Sequence, residues 1–124
     1  MTDPPDLHRA RRTIEAARLL AENGFSAEAV GRAYYAAFHA SQAVLDHLGA
    51  SSATHRGVHA AMHRLLAQPG HVPASTIAHL SRLSTLRQTA DYDDGANLTP
   101  AQAQQSIAMA EAFVDAMAQW MSEA

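Results

Sequence analysis

No stretch of this chain alternates apolar and polar residues, as a strand with one buried face must. Its apolar residues return every third or fourth position instead, a spacing that only a helix buries along one side. Near the C-terminus Ala103, Ile107, Ala110, Phe113, Val114, Met117, Trp120 and Met121 make one broad apolar arc, read as core rather than as a cofactor box. Alanine supplies 28 of 124 residues against five prolines and six glycines, which reinforces helix and implies close helix approach. The expected fold class is all-α.

Local punctuation divides the chain into five helical segments. The first runs from about Pro5 to Glu22, with Asp3 or Asp6 as N-cap, and stops at Asn23-Gly24. The second opens after Ser26 and ends at Gly49; the third begins near Thr54 and ends at Gln68-Pro69-Gly70. A fourth, from around Pro73-Ala74-Ser75 to about Asp91, precedes an acidic loop, Asp93-Asp94-Gly95-Ala96-Asn97. The fifth opens at Thr99-Pro100-Ala101-Gln102, a capping box with proline at the first helical position. Short linkers make sequential helices antiparallel neighbours, so residues 1–124 are expected to form a single up-and-down bundle of about five helices.

Cysteine is absent, which excludes disulfides, thiolate metal sites and a cysteine nucleophile. A polar, acidic start and no apolar run near the roughly 20 residues of a membrane span point to a cytoplasmic protein without a membrane partner. The net charge of −3 hides a polarity: nine arginines against six acids over residues 1–90, then six acids and no base over 91–124. Such polarity suits contact with RNA or a nucleotide at one end, or head-to-tail protein contacts; codon bias toward arginine and alanine is the plain alternative.

One arginine stands out. Arg87 falls on the apolar stripe of the fourth segment, between Leu80 and Leu83 around the helix axis. A guanidinium keeps its charge, so there it must find acceptors, a cavity or a partner surface. Asp91, four residues on, lies on the same face. Either Arg87 clamps a phosphate or carboxylate with Asp91 orienting it, or the two join a helix-two tyrosine in a satisfied network fixing helix register.

The second segment carries two faces. Val30, Tyr34, Ala37, Phe38, Ser41, Val44, Leu45 and Leu48 read as core; Arg32, Tyr35, His39, Gln42 and Asp46 lie opposite and suit a groove or dimer seam. Arg9, Arg11, Arg12 and Arg18 cluster on the first helix, where Glu15 and Glu22 sit four residues beyond Arg11 and Arg18 and favour a solvated face. His55, His59 and His63 line one stripe, and histidines four apart can bind zinc. The third is about 12 Å along the axis from the first, and no acid lies nearby, so no metal site and no cofactor are expected.

Three blocks together carry a resemblance. Arg32-Ala33-Tyr34-Tyr35-Ala36-Ala37-Phe38-His39-Ala40 resembles the RAYYAxFHA signature of HEPN domains, the nucleotide-binding family of higher eukaryotes and prokaryotes. Thr54-His55-Arg56-Gly57-Val58 is similar to that family's THxGV block, and Arg87-Gln88-Thr89-Ala90-Asp91-Tyr92 to its RxxADY block. The blocks come in family order across about residues 7–118. The resemblance implies a helical bundle, a homodimer, and pairing with a small nucleotidyltransferase as toxin and antitoxin. It also implies, for catalytic relatives, a metal-independent ribonuclease built on an arginine and a histidine with four to six residues between them. Arg87 matches the arginine, but the histidine falls at Tyr92, Asp93 or Asp94. Tyrosine titrates near 10 and moves protons poorly at neutral pH, whereas histidine titrates near 6.5.

The expected function is therefore the HEPN component of a nucleotidyltransferase pair, binding a nucleotide, RNA or its partner; the alternative is a ribonuclease toxin using Arg87 with a substituted histidine. The candidate catalytic residues are Arg87 and Tyr92, Tyr92 being also a candidate for adenylylation by the partner. Tyr34, Tyr35, His39 and Asp91 complete the candidate binding pocket, His39 being either a replacement imidazole or only a bundle hydrogen bond.

Overall fold

A computed structural model describes residues 3–92 and 98–123. It contains five α-helices: α1 (Pro5–Glu22), α2 (Ser26–His47), α3 (His55–Met62), α4 (Ala74–Tyr92) and α5 (Pro100–Glu123). Helix α3 runs on into a π turn, His63–Ala67, which the sequence pattern did not separate from the helix. The acidic loop at 93–97 lies outside the described residues. Among the described residues there is no strand, and no helix is long and apolar enough to cross a membrane.

The helix ends follow from short-range chemistry. Gly24 and Gly49 take φ of 85° and 68°, where a Cβ would be strained, and each lets the next amide bond back across the terminus. Phe25 N–H donates to the Leu20 carbonyl at 2.9 Å, and Ala50 N–H to that of Leu45 at 2.8 Å. At α5 the capping box forms as read: Gln102 N–H donates to Thr99 Oγ1 at 3.1 Å, and Thr99 N–H to Gln102 Oε1 at 2.9 Å. The expected N-cap of α1 by Asp3 or Asp6 does not form, and α2 begins at Ser26 rather than after it. Pro4 occupies the N-cap of α1 and Phe25 that of α2, neither with a side-chain bond. The Asp3 carboxylate is engaged by Arg11 Nε at 2.9 Å, and Ser26 is already helical.

Helix α2 is the axis of the bundle, packed against α1, α4 and α5, with α1 and α4 also touching α5. Twelve of its residues are buried, including Ala36, Ala40 and Ala43 on the side away from Val30 and Tyr34. Alanines there let neighbouring backbones close in, so the second face shrinks to a strip: Tyr35, His39 and Gln42 are half-buried, Arg32 and Asp46 exposed. Leu48, read as core, is exposed just past the helix end, and Trp120 and Met121 are only half-buried near the end of α5. Phe113, Val114 and Met117 are fully enclosed, each contributing about 1.5–3 kcal/mol.

Two ion pairs tie the basic face of α1 to the acidic α5. Arg11 donates to Asp115 at 3.0 Å, and Arg18 pairs with Glu111 and Glu15. With Asp3 also on Arg11, these are the partners in place of Glu15 for Arg11 and Glu22 for Arg18. Along α4 the apolar stripe reads Ile77, Leu80, Leu83, then Ala90. Leu83 belongs to the large core cluster and Ala90 to a smaller one with Ala29, Val30, Leu98 and Ala103. Arg87 occupies the gap between the two.

Candidate functional site

Arg87 is held by aromatic rings rather than by a carboxylate. Its Cζ lies 5.0 Å from the ring centre of Tyr34 and 5.4 Å from that of Tyr35, both within cation–π range. One terminal nitrogen donates to Tyr35 Oη at 2.8 Å. The spacing on α2 makes this possible: Tyr34 turns inward and is fully buried, while Tyr35, 100° further round, faces the edge toward α4. Arg32, one turn earlier, covers the same Tyr35 ring at 5.1 Å.

Asp91 stands where the sequence placed it, but its carboxylate is 3.9 Å from Arg87 Nε and its side chain is 67% exposed. That distance is an ion pair without a hydrogen bond. Arg87 Nε is buried and finds no acceptor among the described residues. Arg87, Tyr35 and Asp91 thus come together as a network with one donor, Arg87 Nε, left unsatisfied among the described residues.

Two hollows open on Arg87. One, of about 620 Å³, is lined by Glu28, Gly31, Arg32, Tyr35, Arg87 and Asp91 among others. The other, of about 400 Å³, is lined by Tyr34, His55, Arg56, His59, Ser84, Arg87 and Gln88. Arg87 is the residue they share.

The second hollow contains what sequence reasoning missed. Tyr34 Oη lies 2.8 Å from His55 Nδ1 and 3.1 Å from His59 Nε2. A phenol has one proton, so it donates to one imidazole and accepts an N–H from the other. The His55 ring stacks on Phe38 at 4.1 Å between centres. Burial pushes the Tyr34 hydroxyl pKa up, with the Arg87 charge opposing. It pushes both imidazoles down, helped by Arg87 at His55 and by His55 at His59, so both are neutral at pH 7. The available signal was the Thr54-His55 block. Thr54 caps α3 by accepting from Gly57 N–H at 2.9 Å, which sets His55 as its first residue. A Cβ at Gly57 would run into Ser52 Oγ and crowd the capping Thr54 Oγ1, so both side chains would have to shift.

Of the remaining candidates, His39 reaches only the rim. Its ring is 6.3 Å from Tyr35, its Nδ1 is 3.1 Å from Gln42 Oε1 on its own helix, and it lines neither hollow. Tyr92 is 89% exposed at the end of α4 and also lines neither hollow. Among the described residues no group of three His, Asp or Glu side chains is arranged to hold a metal ion.

A family model for the HEPN domain matches residues 7–120, nearly all of the chain. This chain belongs to the HEPN domain family. A UPF0332 protein of Gloeobacter violaceus is 32% identical over 119 residues, 94% of each chain. A Methanocaldococcus jannaschii protein named "Putative toxin" is 31% identical over 114 residues, 92% of this chain and 84% of that one. The three sequence blocks that suggested HEPN map onto this one site: Tyr34 and Tyr35 from α2, His55 and Arg56 from the start of α3, Arg87 and Asp91 from α4.

Proposed function

We propose that this HEPN domain is the toxin-type member of a pair with a small nucleotidyltransferase, and that its Arg87 site binds the phosphate of RNA or a free nucleotide. The observation that carries the reading is an arginine positioned by two tyrosines, with its Nε unbonded among the described residues, where two hollows meet. Ring faces orient a guanidinium without neutralising it, so its charge remains to attract an incoming anion. Hollows on both sides suit a chain passing over Arg87 with a base in either, and Tyr35 and Arg32 give a base a surface to stack on. The name of the M. jannaschii relative supports the toxin role, and the family resemblance supports the nucleotidyltransferase partner and a homodimer.

The test is fluorescence anisotropy of a labelled single-stranded RNA carrying 2′-deoxy residues, with unlabelled nucleotides as competitors. Arg87→Ala is expected to abolish most binding and Arg87→Lys to restore only part, because an ammonium lacks the fork. Undiminished binding by a folded Arg87→Ala protein would overturn the reading. Light scattering of the chain, alone and with the product of a neighbouring nucleotidyltransferase reading frame, tests the dimer and the pairing.

A further inference from the structure

We infer that His55 and His59, linked through the Tyr34 hydroxyl, are the proton-transfer residues of this site and that the chain cleaves RNA with them in place of a histidine on α4. This rests on the RNA-binding reading above. Three features converge on the smaller hollow. Its lining includes two imidazoles, two guanidinium groups and the Ser84 hydroxyl, with no carboxylate among the described residues. The imidazoles are joined in a line, His55 Nδ1 to Tyr34 Oη to His59 Nε2, at 2.8 and 3.1 Å. Tyr34 also lies under Arg87, so the phosphate anchor and the relay share one side chain.

RNA suits these groups because its 2′-hydroxyl is a nucleophile already tethered beside the phosphate, leaving the protein to move protons and spread charge. His55 Nε2 takes the 2′-hydroxyl proton, the 2′-oxygen bonds to phosphorus, and the bond from phosphorus to the 5′-oxygen of the next nucleotide breaks. The Nδ1 proton of His55 passes to the Tyr34 oxygen as the Tyr34 proton passes to His59 Nε2. His59 then gives its Nδ1 proton to the departing 5′-oxygen. One proton leaves the substrate and one returns, and the products are a 2′,3′-cyclic phosphate and a 5′-hydroxyl. Arg87 and Arg56 offset the charge that gathers on the phosphate oxygens. Both imidazoles start neutral beside Arg87 and Arg56, as a base and a relay acceptor must.

The experiment follows cleavage of an all-ribose oligonucleotide with EDTA present, product ends being read by mass spectrometry, beside anisotropy with the 2′-deoxy analogue. His55→Asn is expected to lower the rate by about 10²–10⁴-fold while affinity holds. Tyr34→Phe keeps the ring under Arg87 and should lower the rate without loss of affinity, a split that a merely structural role would not give. Wild-type rate should fall as pH drops through the lowered imidazole values. If wild type binds RNA but does not cut it, the inference fails and the binding reading stands; if it does not bind, both fail. Cleavage that survives His55→Asn but is lost in Tyr92→Phe would also overturn it.

Discussion

Replacing Arg87 by alanine separates a ligand-binding arginine from a structural one, because the structure sets the cost of removing it. The change loses one hydrogen bond from a charged donor, worth about 1.5–3 kcal/mol net, to the half-buried Tyr35 hydroxyl, which water can then reach. It loses two cation–π contacts of about 0.5–1 kcal/mol each. Against this, it removes a buried Nε with no acceptor among the described residues, a burden of about 1–3 kcal/mol. The Asp91 pair adds next to nothing, being two-thirds exposed on the acid side. The net loss centres on about 2 kcal/mol, below the roughly 3–5 kcal/mol for truncating a paired buried ion. At about 4 °C per kcal/mol for a chain of this size, the melting temperature should fall by about 8 °C. Thermal unfolding followed by circular dichroism at 222 nm reads it directly. A fall beyond about 12 °C, or failure to fold, would refute the reasoning and make Arg87 a keystone of the bundle.

Other perturbations probe neighbouring parts of the argument. Gly57→Ala should cost about 1–2 kcal/mol through the disturbed Thr54 cap, with Ser52→Gly recovering part; a neutral result in urea unfolding would contradict the tight start of α3. Ser106 is fully buried in the second turn of α5 and its hydroxyl has no partner among the described residues, so Ser106→Ala should raise stability by about 1 kcal/mol by the same assay. Because His55 and His59 titrate lower in the fold than the unfolded value of about 6.5, the unfolded chain binds more protons in that window, and stability is lost as pH falls through the folded values. Wild type should melt lower at about pH 5.5 than at about pH 7.5, and the His55→Asn, His59→Asn protein should lose less. Asp46, whose pKa is raised by burial and by Asp6, acts in the opposite sense at more acid pH.

Helix boundaries were legible because they rest on residues within a turn of one another. Thr99 with Gln102, Thr54 with Gly57, and the glycines after α1 and α2 needed no tertiary context. The cap expected of Asp3 or Asp6 failed where Arg11 took the Asp3 carboxylate, and α2 begins at Ser26 itself, one residue earlier than read. Arg87 was conspicuous as a charge on an apolar stripe, and its tyrosine neighbours followed from the helix-two pattern. Its true environment was not legible: rings as anchors and a carboxylate at arm's length depend on how α2 and α4 sit against each other. The same holds for His55 and His59. Their four-residue spacing put them on one stripe of α3, but nothing local showed that Tyr34, 21 and 25 residues away, joins the two rings.

The central claim is that Arg87 meets an anion of the ligand, and its own Nε–H proton reports on that. In a ¹⁵N-labelled sample the Arg87 Nε–H resonance, assigned by its disappearance in Arg87→Lys, can be followed as single-stranded RNA is added. The account expects it to shift, saturating with the anisotropy curve, while Arg11 and Arg18, engaged with Asp115 and Glu111, stay in place. An Arg87 signal that does not move while RNA binds would contradict it.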